Sequence, residues 1–155
     1  MNLRNVTQPE LVMLDTEFTC KEDCIAALAS RLAAAGRIES ADAFCRAVKE
    51  REALASTYSA MSVAMPHGIS ETVRQASVCF LRNRFPFDWD GDGETPVHLI
   101  FLLAVAKGKN TGEENEQLAL LSAICVMLLD DELRERLDTA KTQEEAIQII
   151  TDYGA

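Results

Sequence analysis

An α/β domain, built as a central mixed β-sheet flanked by helices, is the fold class that the sequence predicts. Apolar residues recur at helical spacing near both ends of the chain. Between them, residues 97–105 form an apolar run with one interruption, which is typical of a strand covered on both faces. The 155 residues are 48% apolar and 26% charged, as in ordinary globular proteins. With no repeat or linker, we expect residues 1–155 to form a single compact domain.

The N-terminal third predicts a short strand followed by two helices. Thr19 and Glu22 fit a capping box, which predicts that the first helix begins there. Gly36 is a plausible end of this helix, and Ser40 is the predicted N-cap of the second. The second helix is expected to present one apolar face, made of Phe44, Ala47, Val48 and Leu54.

The middle of the chain predicts short strands separated by polar turns. Residues 63–65 are apolar, and Pro66 stops this segment because proline has no N–H to donate. Residues 76–81 predict a further strand. Residues 88–96 are acidic and rich in turn formers, and their start resembles a calcium loop. Position twelve of that loop would be Leu99, where a bidentate glutamate is needed, so we predict an acidic turn and no metal site.

The C-terminal third predicts three helices. Residues 117–129 are apolar at helical spacing, and residues 130–137 indicate a shorter helix after them. Thr142 and Glu145 form a second capping box. The last helix that this box opens is expected to bury Ala146, Ile149 and Ile150.

Charge and cysteine content restrict the partners and the compartment. A net charge of −10 argues against nucleic acid and against anionic membrane surfaces as partners. The longest apolar run, residues 99–106, is far shorter than the roughly 20 residues of a membrane span, so we expect no membrane insertion. No secretory signal is visible. Five cysteines without a Cys-x-x-Cys pair predict buried reduced thiols and a cytoplasmic location.

The two histidines are the most informative polar residues. His98 interrupts the apolar run, and we expect a core or edge histidine whose ring nitrogens bond to the backbone. His67 stands between Pro66 and Gly68 at the end of a predicted strand, on a loop of the kind that holds reactive groups. The sequence has no glycine-rich nucleotide motif and no Gly-x-Ser-x-Gly elbow, which argues against a kinase or a hydrolase. We expect no cofactor.

Several segments, taken in order, resemble one known family. They are Arg51-Glu52, Ser56-Thr57, Val63-Ala64-Met65-Pro66-His67-Gly68, residues 97–103, residues 115–118 with Leu121, and the run from Arg136 to Glu145. Together they resemble the enzyme IIA domain of the fructose–mannitol class of the bacterial sugar phosphotransferase system, including its nitrogen-regulatory relatives. The resemblance extends over nearly the whole chain, and its most specific part is the Pro-His-Gly segment with the upstream Arg-Glu.

The resemblance implies a role for each of these site residues. His67 is the expected phosphoryl acceptor, and Arg51 is the expected cation that holds the phosphoryl group. Phospho-HPr is the implied donor, and a cysteine of a IIB domain is the implied acceptor during sugar uptake. The residue types suit this chemistry, because neutral imidazole is a good nucleophile and a guanidinium grips two phosphoryl oxygens at once. Ser56 or Thr57 is expected to add a hydroxyl donor.

Two departures from the family pattern stand out. The family commonly has a second histidine at the start of the later helix, and that position here is Gln117. Glutamine still donates a hydrogen bond, but it carries neither a positive charge nor a transferable proton. The turn before the apolar segment is usually rich in glycine, whereas residues 58–62 here read Tyr-Ser-Ala-Met-Ser.

Three functions therefore stay open at the level of sequence. The leading one is a phosphoryl carrier for sugar transport. The alternative is a regulatory IIA-like module whose phosphorylation state controls binding to partner proteins. A third is a binding domain without chemistry, in which Arg51 and His67 need not meet. The sugar, the IIB partner and the oligomeric state are not determined by the sequence.

Overall fold

The computed structural model describes residues 2–107 and 113–153, with only the backbone described for residues 113–117, and six strands in these ranges form one sheet. The strands are β1 (Val12–Thr16), β2 (Tyr58–Ser59), β3 (Val63–Ala64), β4 (His67–Ser70), β5 (Ser77–Asp88) and β6 (Pro96–Ala106). Their order is β1-β5-β6-β3-β2, and β4 also pairs with β6. The β1–β5, β3–β6 and β4–β6 pairs are parallel, and the other two are antiparallel. The predicted mixed sheet is confirmed.

Helices cover both faces of this sheet. They are α1 (Lys21–Ala34), α2 (Ala41–Leu54), α3 (Glu113–Leu128), α4 (Asp131–Thr139) and α5 (Gln143–Tyr153), and a 3-10 turn, Pro9–Leu11, precedes β1. One hydrophobic core lies under α1 and α2, and a second lies under α3, α4 and α5. Side chains of β6 alternate between them, with Phe101 and Leu103 in one core and Leu102 and Ala104 in the other. The predicted burial of this strand on both faces is confirmed.

Two of the predicted helix caps are confirmed. The Ser40 hydroxyl accepts a hydrogen bond from the Ala43 N–H at 3.1 Å, which begins α2. The Thr142 hydroxyl accepts one from the Glu145 N–H at 3.0 Å, ahead of α5. These bonds satisfy backbone donors that have no partner within their own helix.

Three sequence-based expectations about element ends are wrong. The N-cap of α1 is Cys20 rather than Thr19, and no side chain caps this end. Leu54 lies at the last position of α2 and is 83% exposed, so it does not join the apolar face of that helix. The strand predicted over residues 76–81 continues to Asp88, because the polar side chains of Arg82 and Asn83 are buried with hydrogen-bond partners instead of ending the strand.

No helix within the described ranges is both long enough and apolar enough to cross a membrane.

Candidate functional site

His67 opens β4 and is buried, with 7% of its surface exposed. The expectation that it lies on a loop is therefore wrong. The chain pairs with β6 through β3, pauses at Pro66, and resumes the same parallel pairing at His67, which lies opposite Leu103. The pause follows from Pro66, which has no N–H to give to the ladder, while its carbonyl still accepts from the Leu103 N–H at 3.0 Å. A rigid sheet edge thus fixes the imidazole.

The protonation pattern of His67 follows from one contact. Its Nδ1 lies 3.0 Å from the Met65 carbonyl oxygen. A carbonyl only accepts, so the neutral ring carries its proton on Nδ1 and its lone pair on Nε2. Among the side chains of residues 2–107 and 118–153 and the described backbone, Nε2 has no hydrogen-bond partner. The nitrogen with the available lone pair is therefore Nε2.

Arg51 and His67 line the same open cleft, which has a volume of about 420 Å³. The other lining residues are Ala47, Glu50, Leu54, Gly68 and Ile69. The cleft lies between the C-terminal half of α2 and the start of β4. The structure thus brings together the nucleophile and the cation that the resemblance implied, in a space wide enough for a phosphoryl group.

Gly68 explains how α2 comes so close to β4. A Cβ atom at this position would lie 3.0 Å from Cγ2 of Val48 and 3.3 Å from Cε1 of Phe44. Both residues are buried on α2. The hydrogen of Gly68 therefore permits a helix–strand contact that any side chain would push apart. The space that a side chain of residue 68 would need is thus taken by α2.

The guanidinium of Arg51 is anchored at the end of its helix. Its Nη1 donates a hydrogen bond to the Ala55 carbonyl oxygen at 2.9 Å. This contact satisfies a carbonyl just beyond the C-terminus of α2, where positive charge is also favoured by the helix dipole. In the part of the chain that the structure describes, Arg51 forms no ion pair. Its other N–H groups are thus available to an anion in the cleft.

Ser56 and Thr57 do not line the cleft. The Ser56 hydroxyl donates to the Asp90 carboxylate at 2.6 Å. The Thr57 hydroxyl donates to the Glu52 carboxylate. A hydroxyl has one proton to donate, so both donors are directed at carboxylates in this arrangement. The sequence did not indicate Glu52 and Asp90 as the partners of these hydroxyls, although Glu52 belongs to the Arg-Glu pair of the motif.

Gln117 lies within α3, and its side chain is outside the part that the structure describes. Its predicted contact with a phosphoryl group therefore stays a prediction.

His98, the second histidine, is bonded through side chains and not through the backbone as expected. Its Nδ1 lies 2.7 Å from the Ser62 hydroxyl oxygen, and its Nε2 lies 2.7 Å from a carboxylate oxygen of Asp138. Both ring nitrogens are occupied. The expectation of a structural histidine agrees with this geometry, and only its partners were wrong.

The cysteines fall into three groups, because Cys20 and Cys45 are only half-buried, in contrast to both the buried and the exposed ones. Cys24 and Cys79 are buried as predicted, and burial raises the pKa of Cys24 to about 12 and also raises the pKa of Cys79. Both thiols are therefore protonated and unreactive near neutral pH. Cys125 is exposed, which contradicts the expectation of burial for all five.

Comparison with known proteins matches residues 5–153 to one family, described as "Phosphoenolpyruvate-dependent sugar phosphotransferase system, EIIA 2". The chain is 36% identical over 155 residues to the PTS system 2-O-alpha-mannosyl-D-glycerate-specific EIIABC component of Escherichia coli strain K12. The match includes 99% of this chain and 23% of that relative, so the chain spans about a quarter of its length.

Two solved structures share the fold. The nitrogen regulatory protein IIA-Ntr from Neisseria meningitidis is 30% identical, with a TM-score of 0.80 over 93% of this chain and 95% of that one. The complex of enzyme IIAMTL and phosphorylated enzyme IIBMTL from Escherichia coli has a TM-score of 0.77 at 21% identity, over 94% of this chain and 97% of that one. The arrangement of sheet and helices is thus that of solved IIA proteins.

Proposed function

This chain belongs to the EIIA 2 family of the phosphoenolpyruvate-dependent sugar phosphotransferase system, and we propose that it is a phosphoryl carrier that accepts the group on Nε2 of His67. Membership confirms the resemblance to the fructose–mannitol class. The observation that carries the proposal is the cleft in which Arg51 and His67 meet. A cation beside a nucleophile with an available lone pair is the arrangement that phosphoryl transfer needs.

The transfer step follows from the hydrogen bonding of the ring. The lone pair of Nε2 attacks the phosphorus of the donor, and a P–N bond forms. The bond from phosphorus to the donor atom breaks, and its electron pair stays on the donor. The proton on Nδ1 remains in place and donates to the Met65 carbonyl, which holds the ring in line during the attack.

Arg51 stabilises the phosphoryl oxygens in this mechanism. Phosphoryl transfer depends mainly on positioning and on charge stabilisation, and a guanidinium offers several donors in one plane. One of these donors is used on Ala55, which orients the remaining ones. The alternative is a surface arginine that only caps α2. This alternative does not account for the position of Arg51, which lines the cleft together with His67.

We assign phospho-HPr as the donor and a IIB-domain cysteine as the acceptor, with the exchange in the cytoplasm. The solved complex of an enzyme IIA with a phosphorylated enzyme IIB supports a IIB protein as the acceptor. Leu54, exposed at the rim of the cleft, offers an apolar contact to an approaching protein. The five free thiols fit a reducing compartment. We further propose that residues 1–155 act as one domain.

A direct test uses phosphoenolpyruvate, enzyme I and HPr as the phosphorylation system. We expect the unmodified chain and the His98→Ala variant to gain one phosphoryl group, measured by intact mass, and His67→Ala to gain none. His98→Ala is the matched control because it removes the only other imidazole. Equal labelling of His67→Ala and the unmodified chain would overturn the assignment.

A regulatory module is the second candidate function. It is favoured by the similarity to a nitrogen regulatory protein and by Gln117 at the position where the family commonly has a histidine. Efficient transfer from the phosphorylated chain to a sugar-specific IIB domain supports the transport role. A partner protein that binds only one phosphorylation state, together with no transfer to IIB domains, supports the regulatory role.

A further inference from the structure

The carboxylate of Glu52 is buried beside the candidate site, with 6% of its side chain exposed. It accepts hydrogen bonds from the Thr57 hydroxyl and from the Thr57 N–H, the latter at 3.4 Å. Lys21 lies 3.4 Å from the same carboxylate. A buried carboxylate is tolerated only when it is paired and hydrogen-bonded, so these contacts fix Thr57 relative to α2.

A second contact holds the same segment from its other side. The Ser56 hydroxyl donates to Asp90 at 2.6 Å, and Lys21 donates to Asp90 at 2.9 Å. Lys21 therefore bridges Glu52 and Asp90, and it also lies 5.7 Å from the centroid of the Trp89 ring. Residues 55–57 are thus held between α1, α2 and the acidic turn that follows β5.

Two charges of this cluster, those of Lys21 and Asp90, remain in place across the neutral range. Burial alone would lower the pKa of Lys21, but its hydrogen bond to Asp90 and the charges of Glu52 and Asp90 raise it above 10.5. Burial would raise the pKa of Asp90, but hydrogen bonds from Ser56 and Lys21 lower it below 3.8. Lys21 therefore stays cationic and Asp90 anionic between these values.

The cluster reaches the candidate site through Ala55. The carbonyl of Ala55 accepts the hydrogen bond from Nη1 of Arg51 at 2.9 Å. Ala55 precedes Ser56 and Thr57, so its carbonyl moves with the segment that Glu52 and Asp90 hold. A shift of this segment therefore displaces the anchor of the guanidinium. Arg51, which lines the cleft together with His67, is thus linked to contacts made on the other side of α2.

We propose that Glu52 is a positioning residue for phosphoryl transfer, acting through Thr57 and the Ala55 carbonyl on the guanidinium of Arg51. The inference rests on the proposed function, because it needs Arg51 to bind the phosphoryl group. It also assigns a different role to the Ser-Thr pair, whose hydroxyls hold the segment and do not bind phosphate. Glu52 itself does not line the cleft that contains His67.

The test measures single-turnover transfer from phospho-HPr to His67 in the full chain. We expect Glu52→Gln and Thr57→Val each to lower the rate at saturating donor by about tenfold or more, since displacements of about 1 Å cost up to about a hundredfold. The donor concentration at half-saturation should change by less than about twofold, because the docking surface is intact. Thr57→Ser, which keeps the hydroxyl, should restore most of the rate.

Glu39→Gln is the matched control. Glu39 is an exposed carboxylate that pairs with Arg74 at 3.4 Å and does not line the cleft. The Glu39→Gln variant makes the same chemical change on the surface, and we expect its transfer rate to equal that of the unmodified chain. If Glu52→Gln does not fold, Thr57→Val and Thr57→Ser carry the test, because they break and keep the same hydrogen bond without touching the buried charge.

Combination with Arg51→Ala decides whether Glu52 acts through Arg51. We expect Glu52→Gln to have no further effect on the rate in the Arg51→Ala background. An unchanged rate for both Glu52→Gln and Thr57→Val overturns the inference, and so does a loss of equal size with and without Arg51. Failure of the unmodified chain to label His67 overturns the proposed function, and the inference with it, so the two failures are distinct.

Discussion

His67 and His98 are both held by hydrogen bonds, but in the part of the chain that the structure describes only His67 keeps a ring nitrogen without a partner. His67 uses Nδ1 on the Met65 carbonyl, and its Nε2 has no partner among the described residues. His98 uses both nitrogens, one on Ser62 and one on Asp138. An imidazole attacks only through an unshared lone pair, so the first site is suited to chemistry and the second to support.

The region around His98 compensates for a strained turn. Met61 and Ser62 have φ values of 68° and 64°, a left-handed conformation that costs residues other than glycine roughly 1–2 kcal/mol each. The Ser62 hydroxyl bonds to His98, and the Ser62 carbonyl accepts from the His98 and Leu99 N–H groups. The departure from a glycine-rich turn that the sequence showed is thus stabilised by a histidine elsewhere in the chain.

One short segment, residues 62–67, joins the two regions. Ser62 immediately precedes β3, and His67 opens β4, so the same short segment is held at one end by His98 and presents the reactive ring at the other. The segment that contains His67 is therefore supported by a residue, His98, that does not line the cleft. Substitutions in the cleft should lower the transfer rate, and substitutions around His98 should lower stability first.

The largest expected effect is the loss of transfer rate when Arg51 is replaced. Arg51→Ala should slow phosphorylation of His67 by about a hundredfold, because removing one donor to developing charge costs about 10²–10³. Arg51→Lys should recover only part of this loss, since an ammonium does not grip two oxygens. Rapid-quench measurement of labelled protein gives both rates. An Arg51→Ala variant as fast as the unmodified chain contradicts the assigned difference between the two regions.

Gly68→Ala should lower both the stability and the transfer rate. The added methyl meets Val48 and Phe44 on α2 and forces the helix away from β4, which costs about 1–3 kcal/mol of unfolding free energy. Arg51 moves with α2, so the transfer rate should also fall. Urea unfolding and the phosphorylation assay measure the two effects. Gly36→Ala is a useful contrast, because Gly36 has no crowding neighbour but has a φ of 74°, and its loss should be in stability alone.

His98→Ala should lower stability without preventing phosphorylation. It leaves the Ser62 hydroxyl and the Asp138 carboxylate without their partner, for a loss of about 1–2 kcal/mol. Thermal unfolding measures this loss, and intact mass after the phosphorylation reaction measures labelling. Loss of labelling in a folded His98→Ala protein would show that the two histidines are not separate in function.

The smallest expected effect is a gain in stability from Met61→Gly. Met61→Gly removes the steric cost of a φ of 68° from a side chain that is 45% exposed, so it should stabilise the fold by up to about 1 kcal/mol. Ser62→Gly relieves similar strain but loses the bond to His98, so its net effect should be smaller. Chemical denaturation compares the two, and a stabler Ser62→Gly would mean that the contact with His98 contributes little.

Local sequence patterns determined much of the fold and pointed to the site. Ser40 and Thr142 predicted their helix caps because a cap is a contact over three residues. The apolar run at residues 97–105 predicted a doubly covered strand because its pattern reflects burial directly. Arg51 and His67 came from the motif, and the described structure places both in one cleft. Whether they act as assigned stays a prediction.

Tertiary structure alone decided how the site is held. Ser56 bonds to Asp90, which lies 34 positions away in the sequence, and His98 bonds to Asp138, which lies 40 positions away. Gly68 is crowded by α2, and Glu52 reaches Lys21 only after α1 and α2 pack together. Such pairings depend on how separate elements approach one another, which no local spacing encodes. The sequence by itself pointed to the residues that we propose to carry the chemistry, and packing decided that Arg51 of α2 and His67 of β4 line one cleft and that Asp90 holds Ser56.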